Sequence, residues 1–237
     1  MLEVKNLCVS YGKEKILDNI NLTFEKGLFY AVLGRNGAGK STLARSIMSL
    51  TSYDGQILLD GRNIAEYSPC ERAKRISYLP QKLSAVPFTA RELIGFGRTP
   101  YGDLKGKGGE RVLSAMELLD ISHLEKRRVN SLSGGERQLC YFAMNLCQDT
   151  DIMLLDEPNS SCDIVNEGQM FSVTKDKCLE GKTAICIFHN LAYALKLADR
   201  LILLDKGSCV FSGTPKECKA CGVLERVFGV MNDGLFM

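Results

Sequence analysis

The chain has 237 residues, 45% of them hydrophobic and 24% charged, enough for one large globular domain or two small ones and too apolar for a disordered chain. Thirty Lys and Arg against 28 Asp and Glu leave a net charge of +2, which excludes a general nucleic-acid binder, since phosphate charge has to be offset by a basic excess. No run reaches the ~18 uninterrupted apolar residues of a membrane span, and charges stand in MLEVKNLCVSYGKEK where a signal peptide would be apolar, so a soluble, unexported chain is expected.

In chain order, LEVKNLCVSY (2–11) and ILDNINLTF (16–24) read as strands, the second alternating apolar and polar residues. Gly27 interrupts them, and FYAVLG (29–34) follows as a continuous apolar run of the kind buried in a sheet. STLARSIMSL (41–50) places Leu43, Ile47 and Leu50 at helical spacing. After Gly55, QILLD (56–60) and ISYLP (76–80) are further short strands.

From about 84 to 148 the character changes. RELIGFG, ERVLSAMELLD and ERQLCYFAMNLCQ carry apolar residues at helical intervals, for instance Leu139, Phe142, Ala143 and Leu146. Between the first two, the charged and glycine-rich YGDLKGKGGE (101–110) predicts an exposed, mobile loop. Strand patterns return in DIMLLDE, TAICIFH, RLILLDKG and CVFSG, separated by helix-like runs and followed by a tail after Gly213. Such alternation predicts an α/β core with a mainly parallel sheet, interrupted by a helical insert.

The ten cysteines (Cys8, Cys70, Cys140, Cys147, Cys162, Cys178, Cys186, Cys209, Cys218 and Cys221) are scattered, several of them in apolar runs. They read as free thiols, small hydrophobes in a reducing compartment, rather than a disulfide framework. Cys218 and Cys221 have metal-knuckle spacing, but a zinc site needs a second pair or histidines, and the histidines are His123 and His189.

Gly34-Arg35-Asn36-Gly37-Ala38-Gly39-Lys40-Ser41-Thr42 matches G-x-x-x-x-G-K-[ST] in full, between a strand and a helix. Glycines let backbone N–H groups converge on a β-phosphate, and the helix start adds partial positive charge. Lys40 is expected to neutralise the β- and γ-phosphates of ATP, and Ser41 to offer its hydroxyl to Mg2+. The bland alternative is a glycine-rich turn followed by a chance Lys-Ser. Ile152-Met-Leu-Leu-Asp156-Glu157 supplies a second piece, two carboxylates closing a buried strand. Desolvating them calls for a cation or a catalytic task, with a structural ion pair as the alternative. Neighbours on a strand face opposite ways, which predicts Mg2+ for Asp156 and the attacking water for Glu157.

Leu132-Ser133-Gly134-Gly135-Glu136, followed by Arg137-Gln138 and twenty residues ahead of Asp156, resembles the signature of ATP-binding-cassette (ABC) ATPases. Physically it reads as a second anion cradle, with two glycines baring N–H groups, a hydroxyl and a helix start. The resemblance covers residues 1 to about 215 and implies a P-loop NTPase core (1–83 and 149–215). It also implies an N-terminal antiparallel β-subdomain, a helical subdomain at 84–148 bearing the signature, and a tail at 216–237. It further implies a head-to-tail dimer, each signature closing in trans over the partner's ATP. Tyr11 resembles the aromatic that stacks on adenine, and Gln81 the glutamine that meets Mg2+ or the water. His189 resembles the γ-phosphate histidine, and Asp163 the dimer-contacting aspartate. The chain departs from the family at Asn159–Cys162 and at Met144-Asn145.

A cassette without membrane spans implies a peripheral subunit at the cytoplasmic face of the membrane, two copies docked on permease subunits and served indirectly by a substrate-binding protein. Ile76–Gln81 together with Phe88–Tyr101, carrying Gly97-Arg98-Thr-Pro100, resembles the iron-chelate, haem and cobalamin uptake subfamily. The expected activity is ATP hydrolysis driving uptake. An importer for another substrate, a soluble ABC ATPase working in translation, repair or iron–sulfur assembly, and a P-loop kinase are the alternatives.

Overall fold

A computed structural model describes residues 1–103, 107–159 and 164–229. The chain runs β1 (Leu2–Tyr11), β2 (Glu14–Phe24), β3 (Phe29–Gly34), α1 (Lys40–Ile47), β4 (Asp54–Leu59), β5 (Arg62–Asn63), α2 (Pro69–Ala73), β6 (Ile76–Leu79) and α3 (Ala90–Gly95). It continues with α4 (Lys107–Leu118), α5 (Gly134–Gln148), β7 (Ile152–Asp156), α6 (Ile164–Leu179), β8 (Thr183–Ile187), α7 (Leu191–Leu197), β9 (Arg200–Asp205), β10 (Ser208–Gly213), α8 (Pro215–Ala220) and α9 (Val223–Phe228). Two compact units result, one from residues 1–68 with those from 178 onward, the other from 69–177.

The first unit holds an antiparallel sheet in the order β2-β1-β4-β5. Its central strand β1 buries Leu2 and Val4, then Leu7 and Val9. That three-residue step is made by a register shift between Val4 and Leu7, with Asn6 at φ 50°, so a bulge re-phases the strand toward the core. In the same unit β10, β9, β3 and β8 lie side by side. β3 is parallel to both β8 and β9, whereas β10 returns antiparallel to β9. Every residue of β3 and of β8 is buried, as befits parallel strands covered on both faces. Past Gly213 the chain forms α8, begun by a Thr214–Glu217 capping box, and α9.

The second unit holds the parallel pair β6 and β7, with Ile76 opposite Ile152 and Leu79 opposite Leu155. Around α5 pack α3, opened by the capping box of Thr89 and Glu92, and α4. The unit is wider than the helical stretch 84–148, since it takes in both strands. The glycine-rich segment expected to be a loop is already helical from Lys107. Two glycines cost little at a helix start, and Glu110 in the first turn complements the macrodipole. Among the described residues no helix is long and apolar enough to cross a membrane.

Candidate functional site

In the first unit, β3 delivers the chain at Gly34 to a loop from which α1 starts at Lys40. Gly37 (φ 79°) and Gly39 (φ 94°) occupy the left-handed region, and the Ala38 N–H donates to the Arg35 carbonyl at 3.1 Å. Gly39 is the N-cap of α1; no side chain caps this helix and no acidic residue stands in its first turn. Arg35, Asn36 and Gly37 are exposed, Ser41 and Thr42 half-buried. Lys40 is buried, its Nζ donating to the carbonyls of Gly34 (2.8 Å) and Arg35 (3.2 Å), so the ammonium is folded onto the loop that precedes it. Backbone donors without a side-chain cap, a cation and no acid in the first turn of the helix make a loop fitted to a polyphosphate.

His189 belongs to the same edge of this unit. β8 lies beside β3 with Ile187 opposite Val32, so His189 and the phosphate loop both follow the carboxyl ends of neighbouring parallel strands, where open α/β sheets bind ligands. The Phe188 N–H donates to the Val32 carbonyl at 3.0 Å, which leaves His189 exposed just beyond. Asn190 then caps α7, its Oδ1 accepting from the Ala192 N–H at 2.9 Å. Tyr11 ends β1; it is 47% exposed, and its hydroxyl accepts from Thr51 Oγ1 at 3.4 Å.

The second unit brings Gln81, Asp156 and Glu157 together. Both carboxylates are buried, Asp156 to 2% and Glu157 to 5% exposure. Tyr78 donates its hydroxyl to Asp156 Oδ2 at 3.4 Å, and Gln81 Nε2 donates to Glu157 Oε2. The two acids do not diverge by strand alternation, as expected from sequence, because β7 ends at Asp156. Glu157 sits beyond it at φ 53°, a left-handed conformation that a residue with a Cβ adopts at a cost. On the next residue, the Pro158 carbonyl accepts from Gln138 Nε2 at 2.7 Å. Tyr78 and Gln138 did not stand out as site residues in the sequence. Asp163 and residues 160–162 lie outside the described residues, and Asn159 donates to Glu167 Oε1.

Leu132 is buried and anchors the segment entering α5. Ser133 Oγ accepts from the Glu136 N–H at 3.2 Å, and Glu136 Oε2 accepts from the Ser133 N–H at 2.8 Å. Arg127 pairs with Glu136 at 3.0 Å and also donates to the Ser131 carbonyl. The Ser133 backbone N–H, helped by the Ser133 hydroxyl and Arg127, holds the Glu136 carboxyl below its usual pKa. Gly134 and Gly135 open the helix between these two residues. The expected bare cradle is thus a capping box that answers some of its own donors, and the S-x-x-E spacing was its sequence signal.

Comparisons with known proteins identify the family. The family profile described as ABC transporter matches residues 17–160, more than half of the chain. The chain belongs to the ABC transporter family. Ferric enterobactin transport ATP-binding protein FepC of Escherichia coli (strain K12) is 36% identical over 236 residues, 97% of this chain and 87% of that protein. Hemin import ATP-binding protein HmuV of Pseudomonas fluorescens (strain Pf0-1) is 35% identical over 238 residues, 97% and 93% of the two chains. Among solved structures, the dimeric structure of the bacterial ABC transporter cassette MJ0796 superposes with a TM-score of 0.83 at 25% identity, over 91% of this chain and 99% of that one. The chain is accordingly an ATP-binding subunit, an ATPase coupled to transport, built on a P-loop NTPase core. The cassette's second unit also carries an open groove of about 350 Å³, lined by Phe88, Arg91, Glu92, Gly95, Phe96 and Val112. Phe88 and Phe96 meet there edge to face at 4.9 Å between ring centroids, each 41% exposed.

Proposed function

We propose that this cassette powers import of an iron chelate or haem through a separate membrane permease, working as a pair of copies at the cytoplasmic face of the membrane. The observation that carries this reading is the similarity to FepC and HmuV over 97% of the chain, which includes the helical stretch as well as the nucleotide motifs. The exposed apolar groove at Phe88 and Phe96 supports that unit as the part facing the permease.

The residues divide the work as follows. The Gly34–Thr42 loop holds the phosphates, with Lys40 exchanging its two loop carbonyls for phosphate oxygens, and Tyr11 stacks on the adenine. Ser41, Asp156 and Gln81 offer oxygen ligands of the hard kind magnesium takes, which would there neutralise phosphate charge. Glu157 orients and polarises the attacking water once Gln81 releases its carboxylate, and His189 meets the γ-phosphate. The Leu132–Glu136 segment closes over the nucleotide of the second copy, and Asp163 lies at that contact. Positioning and charge stabilisation dominate catalysis of this kind.

Gentle purification of the tagged chain from native membranes tests the reading. A polytopic permease in stoichiometric amount is the expected companion, and its uptake is then assayed with ferric chelates and haem. Recovery from the soluble fraction with a non-membrane partner would overturn the importer reading and leave the ATPase standing.

A further inference from the structure

Helix α5 packs in the interior of the second unit, yet one of its faces is polar. Gln138, Tyr141, Asn145 and Gln148 stand at i, i+3, i+7 and i+10, within an arc of about 80° at ~100° per residue. The first three are at most 9% exposed. Each is bonded to β6 itself or to a segment flanking β6 or β7. Gln138 Nε2 donates to the Pro158 carbonyl at 2.7 Å, and the Tyr141 hydroxyl donates to the Ser84 carbonyl at 2.9 Å. Asn145 Oδ1 accepts from Ser77 Oγ at 2.8 Å, and Gln148 Nε2 donates to the Ala73 carbonyl at 2.6 Å.

Apolar side chains on this face would give burial without any direction, since the hydrophobic effect is not directional whereas hydrogen bonds are. What the polar face adds is registration: α5 is tied to the start of β6, to the segment three residues past Gln81, and to the residue next to Glu157. The last tie matters most. Glu157 is held at φ 53°, a conformation that persists where its surroundings over-determine it. The buried Gln138 amide fixes the carbonyl immediately after it and stands two residues beyond Glu136 in the same helix.

We propose that Gln138 is a positioning residue for Glu157. It fixes the Pro158 turn so that the carboxylate meets the attacking water. The proposal rests on the reading of Glu157 as the group that polarises the water.

Two substitutions in the full-length chain test it, with Glu157→Gln measured alongside. Gln138→Met keeps the length and removes the donor; kcat for ATP hydrolysis is expected to fall about 10- to 100-fold, the scale of a small misplacement at a reacting centre. KM for ATP should stay within about twofold, because the phosphate loop is untouched. Gln138→Glu restores a donor only while its carboxyl is protonated, so its activity should fall with rising pH in a range where the unsubstituted chain is flat. A merely structural role would not give that profile. A Gln138→Met kcat within about twofold of the parent, or a Gln138→Glu profile parallel to the parent, overturns the proposal. Should Gln138→Met fail to fold, the Gln138→Glu profile decides. If Glu157→Gln is silent while Gln138→Met turns over normally, the positioning role alone falls; if Glu157→Gln itself turns over normally, the assignment of Glu157 falls first.

Discussion

Three alanine substitutions in the phosphate loop separate backbone strain from packing. At Gly37 an added Cβ meets nothing within 4 Å, but φ is 79°, so Gly37→Ala incurs the left-handed penalty alone, about 1–2 kcal/mol. At Gly39 the same strain (φ 94°) is joined by a Cβ 2.4 Å from Leu17 Cδ2 and 3.0 Å from the Ile16 carbonyl oxygen. Leu17 is fully buried and has to repack, which adds about 1–3 kcal/mol. At Gly34 the obstacle is backbone, the Leu204 carbonyl oxygen at 2.3 Å, and Gly34 and Leu204 are paired across β3 and β9. Neither strand can yield without giving up that pairing, so Gly34→Ala should exceed about 3 kcal/mol, a large share of the ~5–15 kcal/mol that holds a domain together. Urea unfolding followed by circular dichroism ranks the variants, with stability falling from Gly37→Ala through Gly39→Ala to Gly34→Ala. Equal midpoints for Gly34→Ala and Gly37→Ala would show that close packing does not constrain the loop, and the reasoning would fail.

Acid should weaken the fold through its capping boxes. The carboxyls of Glu92, Glu136 and Glu217 each accept a backbone N–H, from Thr89, Ser133 and Thr214, which holds their pKa values down. Hydrogen bonding to the Met1 ammonium lowers Asp60 further, to about 2. A depressed folded-state pKa stabilises fully above the unfolded value of ~4 and is lost as pH falls through the folded value, so the urea midpoint should drop as pH falls below about 5 and go on dropping toward the Asp60 value of about 2. The triple variant Glu92→Gln, Glu136→Gln, Glu217→Gln keeps the boxes without titrating and should drop less; an equal drop rejects the assignment. Thiol labelling reads burial separately. Burial pushes Cys140 and Cys218 up to about 12 and Cys147 to about 11, while Cys70 and Cys221 are exposed. A maleimide at neutral pH should therefore modify Cys70 and Cys221 well before those three, and early labelling of Cys140 would contradict its place in the core.

What the sequence disclosed followed from local pattern. The unbroken apolar run Phe29–Gly34 is the buried parallel strand, Lys40 starts the helix after it, and the apolar spacing of Leu139, Phe142 and Ala143 is the inner side of α5. What it withheld depends on partners distant in sequence. Nothing near Asn6 announces the bulge that re-phases β1, because the shift is decided by the strands beside it. The left-handed turn at Glu157 is equally silent, since its neighbours in the chain are Asp156 and Pro158, while the groups that bond its carboxylate and the next carbonyl, Gln81 and Gln138, are distant in sequence. The capping boxes were written plainly as Thr89-x-x-Glu92, Ser133-x-x-Glu136 and Thr214-x-x-Glu217. At residues 133–136 the spacing was overshadowed by the glycines between its ends.

Those boxes sharpen the meaning of α1. Helices α3, α5 and α8 begin with a Thr or Ser answered by a Glu, and α7 begins with an Asn that caps it. A cap of this type is worth about 1 kcal/mol, so leaving it out is a stability cost. Helix α9 starts on Gly222 without a side-chain cap but carries Glu225 in its first turn. Among these helices, α1 alone combines no capping side chain with no acid in its first turn, and it places Lys40 there instead. A carboxylate in that position would compete with phosphate for the N–H groups, and a serine at the cap would occupy one of them. The bare start of α1 is therefore matched to a ligand that completes the cap. The start of α5 answers some of its donors internally and is paired with Arg127, so it has less to offer an anion until Glu136 moves. The two glycine-rich helix starts resemble one another as sequence motifs and differ in chemistry for that reason.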